Sequence, residues 1–215
     1  MPQFTQFPHL PPGEYRAGVD AFLGALRAMP PDGEPFRDLR TRLKKVGMWS
    51  RERLPALLRF LRLAHSDPIR PSPLVTRLIE APGLDAAKAV LAERLWAVNP
   101  LLFKVVIDRL AERVHSENEV LKFVDSFAYP GARITGPEVR AWVHLAQGLE
   151  LLKPVGIRLS LTKAAAPFVE KAKLFDVDEF LDEDEDEAAP DAPPPSAAAT
   201  ATPPSVAPEA APPPP

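Results

Sequence analysis

The chain has no cysteine. This excludes disulfides, thiolate nucleophiles and cysteine-ligated zinc or iron–sulfur centres, and it is compatible with a reducing compartment. Aromatic residues are sparse, at 7%. The four histidines, His9, His65, His115 and His144, fall in unrelated segments and show no metal-ligand spacing such as HExxH. Glu112, His115, Glu117 and Glu119 straddle a junction between two helices, where surface capping accounts for them. The stretch 131–136 has neither the glycine spacing nor the terminal lysine of a phosphate loop. The run 182–187 lacks the spacing of a calcium loop. No metal, no cofactor and no enzymatic activity is therefore expected. No stretch approaches the ~20 apolar residues of a spanning helix. The N-terminal residues show no basic segment followed by an apolar run, so no signal peptide is expected. The expectation is a cytoplasmic protein without a membrane span.

Basic residues are missing from one end. All 26 Lys and Arg lie at or before Lys173. Residues 1–175 carry 18 acidic residues and a net charge of +8, whereas residues 176–215 carry −11. A basic body thus precedes an acidic tail. Residues 190–215 contain 11 Pro and 8 Ala and no aromatic, a composition that cannot offset the entropy of folding. The tail, 174–215, is expected to be disordered, acidic first and then Pro/Ala-rich.

The body reads as mainly α. Residues 1–13 form an extended arm with Phe4, Phe7 and Leu10 spaced three apart; a frayed start is the expectation, and packing of the two Phe on the body or a partner is the alternative. Apolar residues at helical spacing predict helices over 14–28, 35–46, 51–64, 74–80, 84–97, 100–114, 117–128 and 136–152. Asn99-Pro100 suits a helix start. Ser116 with Glu119, and Thr135 with Glu138, have the spacing of capping boxes. Alternation of Val155, Ile157, Leu159 and Leu161 with Gly156, Arg158 and Ser160 predicts one short strand or a β-hairpin. Thr162 caps a last helix over 163–173. The body divides into a basic helical subdomain, 14–98, and a second unit, 99–173.

The segment 148–162, Gly-Leu-Glu-Leu-Leu-Lys-Pro-Val-Gly-Ile-Arg-Leu-Ser-Leu-Thr, resembles the end of the third helix and the wing of bacterial winged-helix proteins of the MarR and ArsR type. The resemblance covers residues 100–163 and implies a winged-helix-like helical domain. It also implies dimerisation through a terminal helix such as 14–28. Similarity of Leu58-Arg59-Phe60-Leu61 to Leu121-Lys122-Phe123-Val124, each followed by a proline-rich turn, opens 14–98 to a reading as a diverged second copy. That architecture would look like the tandem winged-helix proteins that accompany chromosome-structuring ATPases, which bind partner proteins and dimerise.

Charge points to a partner. Residues 37–62 hold Arg37, Arg40, Arg42, Lys44, Lys45, Arg51, Arg53, Arg59 and Arg62 against Asp38 and Glu52, a net of +7. Such a concentration fits contact with the phosphates of double-stranded DNA. Arg133, Arg140, His144 and Arg158 extend the candidate interface. The third helix offers little else for reading base edges. Trp142 reads mainly as core and otherwise as an anchor for a protein partner. With Phe175, Phe180 and Leu181 it makes up the candidate protein-binding set. The expected function is non-enzymatic DNA association through a basic helical patch, with a protein-interaction adaptor as the alternative.

Overall fold

The computed structural model describes residues 6–11, 15–127, 136–178 and 180. Among them the chain forms nine α-helices and one small antiparallel sheet. The helices follow the apolar spacing. α1 (Tyr15–Arg27) buries Val19, Phe22, Leu23 and Leu26, and α2 (Phe36–Lys45) buries Leu39 and Leu43. α3 (Leu54–Leu61) is shorter than the apolar pattern predicts. Pro55 sits in its first turn, where no N–H is needed, and Arg62, at φ 54°, closes it in a left-handed conformation. α4 (Pro73–Glu80) starts at Ser72, whose hydroxyl accepts from Val75 N at 3.2 Å. α5 (Leu84–Val98) and α6 (Pro100–Glu112) meet at the buried Asn99.

The second half continues with β1 (His115–Ser116), α7 (Glu117–Phe127), α8 (Gly136–Gly148), β2 (Leu152–Val155) and β3 (Arg158–Leu161). A 3-10 turn (Lys163–Ala165) and α9 (Ala166–Leu174) follow. The capping box at α7 is reciprocal: Ser116 N donates to Glu119 Oε2 at 2.7 Å and Glu119 N donates to Ser116 Oγ at 3.3 Å. Its counterpart at Thr135 lies outside the described residues.

The predicted alternation turns out to span a turn. β2 and β3 form a hairpin closed by Gly156, at φ 61°, and Ile157. Val155 and Ile157 are consequently 49% and 89% exposed at its tip, and only Leu159 of the alternating set is buried. The third helix stops at Gly148 instead of 152, because the backbone bends through Glu150 at φ 61°. β1, which no alternation could announce in two residues, pairs with β3 (His115 opposite Leu159), giving the order β1-β3-β2. Thr162 does cap the following turn, accepting from Ala164 N, and it also donates to the Glu150 carbonyl.

The first half repeats part of this order in simpler form. A single antiparallel bridge joins Glu34, just before α2, to Ile69, beyond α3. The sequence helix, bridge, helix, helix, bridge (α1, Glu34, α2, α3, Ile69) thus parallels α6, β1, α7, α8, β3. This is a different correspondence from the one the Leu58–Leu61 and Leu121–Val124 similarity suggests, since those residues fall on a third helix and a second helix. No hairpin accompanies the bridge at Ile69 among the described residues.

The two halves share one apolar core, running from Phe7 to Ala172. α1 lies against α8 so closely that a Cβ on Gly148 would meet Val19 Cγ2 at 2.3 Å and the Tyr15 carbonyl at 2.6 Å. Beside this contact the buried Lys88 of α5 reaches Asp20 of α1 at 2.8 Å and Glu150 at 3.1 Å, and Arg16 reaches Glu150 at 3.1 Å. Burial acts to lower the Lys88 pKa, but its bonds to the two carboxylates outweigh it and raise the value. The apolar face of α1 is therefore covered within its own chain, which leaves no apolar stripe on it for a second copy. The arm, too, is packed: Phe7 and Leu10 are buried, with the Phe7 ring 6.2 Å from Phe60, so the frayed start gives way to the packed alternative. Phe4 lies outside the described residues.

Candidate nucleic-acid interface

The basic run of 37–62 divides into three sets with different surroundings. On α2, Arg37, Arg40 and Lys44 recur at three- and four-residue spacing and are exposed, Arg40 flanking the buried Leu39 and Leu43 and the other two farther round the helix, and Lys45 is exposed beside them. The Arg40 guanidinium lies 5.2 Å over the Trp49 ring. Gly47, at φ 71°, turns the chain beneath Pro11, and Arg51 and Arg53 continue the exposed basic surface to the start of α3. Among the described residues the one carboxylate paired with this set is Asp38, 3.5 Å from Arg37.

Arg42 does not belong to that surface. Its guanidinium grips both carboxylate oxygens of Glu34, and its Nε donates to the Ala25 carbonyl at 3.0 Å. The side chains are 25% and 5% exposed, so Arg42 is a structural tie between α1, α2 and the Glu34–Ile69 bridge. Arg40 and Arg42 flank the Leu39–Leu43 stripe on opposite sides; the side of Arg42 faces Glu34 and the Ala25 carbonyl, whereas that of Arg40 faces the Trp49 ring.

Arg59 and Arg62 lie toward the C-terminal end of α3, a helix about 12 Å long. There Arg62 meets Arg77 of α4 and Arg94 of α5 around a cleft of about 330 Å³. Arg94 donates to the Phe60 carbonyl at 2.8 Å and the Arg59 carbonyl at 3.3 Å, satisfying the open end of α3. Burial, and then the Arg62 charge, lower the Arg94 pKa. Arg77 and Arg94 do not stand out in the sequence, because neither belongs to a basic run; only the packing of α4 and α5 on α3 brings them to Arg62.

The third helix of the second half is nearly enclosed. Trp142 is fully buried, with its ring 5.2 Å from Phe103, so it is core and not a contact anchor. Its indole nitrogen has no hydrogen-bond partner among the described residues. The half-exposed edge of α8 is occupied by α1 and α7. The Tyr15 and His144 rings stack 4.1 Å apart, with Tyr15 Oη 3.0 Å from His144 Nε2. Arg140 Nε donates to Glu117 at 3.0 Å. His144 is thus committed to an internal contact, and Arg140 is partly neutralised. Burial lowers the His144 pKa, against the pull of Glu117 and with the help of Arg140. His9 of the arm is lowered by burial, then by Arg53 and by His144, with Glu138 opposing. His9 of the arm thus lies within electrostatic reach of Arg53, just before α3, and of His144 on α8. Tyr15 and His9 go unmarked in the sequence because their partners lie far along the chain.

Arg158 is exposed on β3, near enough to Glu119 to help lower its pKa, after the two Ser116 hydrogen bonds that dominate. Arg133 and Leu181 lie outside the described residues. Phe175 packs edge-on against Trp96 at 5.7 Å and Phe180 lies 5.3 Å from Phe175, so both are partly covered by the body. Leu174 is 86% exposed.

A second, larger cleft of about 630 Å³ opens between α1 and the hairpin, with Tyr15, Gln147, Leu152 and Pro154 in its lining. Among the described residues no group of three or more His, Asp or Glu stands close enough to hold a metal ion, and no helix is long and apolar enough to cross a membrane. No family model matches the chain, and neither does any curated protein or solved structure.

Proposed function

We propose that this is a non-enzymatic DNA-associated protein that holds duplex DNA through its phosphates, using the outer face of α2 and the loop that leads to α3. The observation that carries this reading is the stripe of Arg37, Arg40 and Lys44 with Lys45, Arg51 and Arg53, all exposed, with Asp38 the one carboxylate paired with them among the described residues. Guanidinium and ammonium groups spaced about one turn apart along a helix suit successive phosphate contacts, and arginine adds a planar fork for the phosphate oxygens. The winged-helix reading of 99–173 is supported by the order α6, β1, α7, α8, hairpin and by the strand order β1-β3-β2.

The same geometry argues for binding without sequence readout. α8, which would be the base-reading helix, is covered by α1. α3, its counterpart in the first half, is covered by the arm and by Arg94. Contacts to phosphate alone fix affinity and its salt dependence but carry no sequence information.

Fluorescence anisotropy on several unrelated duplexes across a salt series tests the proposal. Similar affinities on all duplexes are expected, with log K falling linearly in log salt. The triple variant Arg37→Gln, Arg40→Gln, Lys44→Gln should flatten that slope by about 0.9 for each phosphate it no longer neutralises. Absence of binding at low salt would reject the proposal. A second reading, a protein-interaction adaptor, is favoured by one observation: Val155 and Ile157 expose an apolar hairpin tip. It predicts that Ile157→Ser abolishes capture of a protein partner while the α2 variant does not.

A further inference from the structure

Three arginines around one cleft are an unusual arrangement to leave without an anion, since like charges brought together on partly apolar surface repel. Arg62, Arg77 and Arg94 share the cleft between α3, α4 and α5 with an apolar lining that includes Leu74, Val90 and Ala97. The carboxylate in that lining, Glu93, is held from the other side by Lys171 of α9. Arg62 and Arg77 are exposed and have no carboxylate partner among the described residues.

The path of the chain brings a matching segment to the same place. α9 packs on α6 and reaches α5 through side chains, Lys171 to Glu93 and Phe168 against Trp96 at 6.3 Å, while Phe175, just past its end, lies 5.7 Å from Trp96. Phe180 lies on Phe175. Glu93, Trp96 and Ala97 are three and four residues apart, hence neighbours on the surface of α5. Phe180 thus lies two ring contacts from Trp96, which neighbours the cleft residues Glu93 and Ala97 on α5. The residues after Phe180 are Leu181 and then Asp-Glu-Asp-Glu-Asp-Glu. Six extended residues reach about 20 Å, and one apolar residue followed by carboxylates complements an apolar lining rimmed by guanidinium groups.

We propose that this cleft is the seat of an acidic peptide, and that its occupant is the chain's own segment 181–187. Leu181 meets the Leu74, Val90 and Ala97 lining, and the carboxylates that follow engage Arg62, Arg77 and Arg94. This interaction surface stands whether or not α2 binds DNA. If α2 does, the segment withdraws Arg62 from the basic surface and leaves the α2 stripe open.

The absence of cysteine lets one be placed at will. A nitroxide on Ala189→Cys in the full chain should broaden the amide signals of residues 74–78 and 90–98, leaving those of 37–44 sharp. The broadening should vanish in about 0.5 M salt, where screening is short-ranged. It should also vanish in Arg77→Glu, and in a chain whose six acids at 182–187 are replaced by Asn and Gln. That second variant leaves the folded body untouched. Mixing spin-labelled unenriched chains with enriched unlabelled chains should give no broadening. Broadening that is absent, that falls equally on α2, that survives both variants, or that appears in the mixed sample would overturn the proposal, the last by assigning the contact to a second copy.

Discussion

Gly148→Ala tests whether α1 truly covers α8. Helix propensity alone favours the change: alanine in place of glycine within a helix stabilises by up to about 1 kcal/mol, and by less at a last turn. The added methyl, however, would sit 2.3 Å from Val19 Cγ2 and 2.6 Å from the Tyr15 carbonyl, against ordinary carbon contacts of about 3.5–4.0 Å. Neither neighbour yields cheaply. Val19 is fully buried and β-branched, hence stiff at χ1, and the second contact is backbone. Overpacking of this kind costs about 1–3 kcal/mol. The net expectation is a loss of about 1–2 kcal/mol, which for a body of this size lowers Tm by about 2–8 °C. Urea denaturation followed by helical circular dichroism measures it. Gly24→Ala supplies the control: Gly24 lies in α1 with nothing within 4 Å of its added Cβ, so that variant should gain about 0.5–1 kcal/mol. Val19→Ala combined with Gly148→Ala should cost less than the sum of the singles, because the shorter side chain vacates part of the clash. A Gly148→Ala chain as stable as the parent or more so would refute the packing of α1 on α8, and with it the reason why α8 cannot read bases.

Two further perturbations separate structural from surface charge. Removing Arg42 leaves Glu34 buried and unpaired, so Arg42→Ala should cost about 3 kcal/mol, whereas Arg40→Ala should stay within about 0.5 kcal/mol; chemical denaturation distinguishes them, and equal effects would contradict the assigned roles. His144 and His9 both have pKa values held below the ordinary 6.5. The unfolded chain therefore binds more protons than the folded one, so stability falls as pH drops through and below 6.5. Thermal melts between pH 7.5 and 5.5 should show that decline, and His144→Phe, which keeps a ring against Tyr15, should flatten it; an unchanged slope would exclude His144 as a source of the pH dependence.

What could be read from sequence was what neighbouring residues settle among themselves. The Ser116–Glu119 box, the Asn99-Pro100 restart and the buried stripes of α1 and α6 each need only a turn or two of helix, and each is present. The two-residue β1 has no periodicity to detect, and it gains meaning only from pairing with Leu159. The alternation at 155–161 misleads as a single strand because a two-residue turn preserves a period of two while reversing the chain.

The basic run shows the same limit more sharply. Nine cations within 26 residues look like one feature, yet helix period and distant partners sort them into different physical classes. Arg42, on the side of α2 that faces Glu34 and the Ala25 carbonyl, is absorbed by them. Arg62, at the left-handed end of α3, joins Arg77 and Arg94 from helices the run does not include. Arg37, Arg40, Lys44, Lys45, Arg51 and Arg53 remain the outward surface, with Arg59 exposed on α3 beyond them. A net charge of +7 therefore overstates what a polyanion on the α2 face would meet, because one of those charges is neutralised internally and another faces a separate cleft. A phosphate-binding α2 face should accordingly show a salt slope set by about six cations and not by nine.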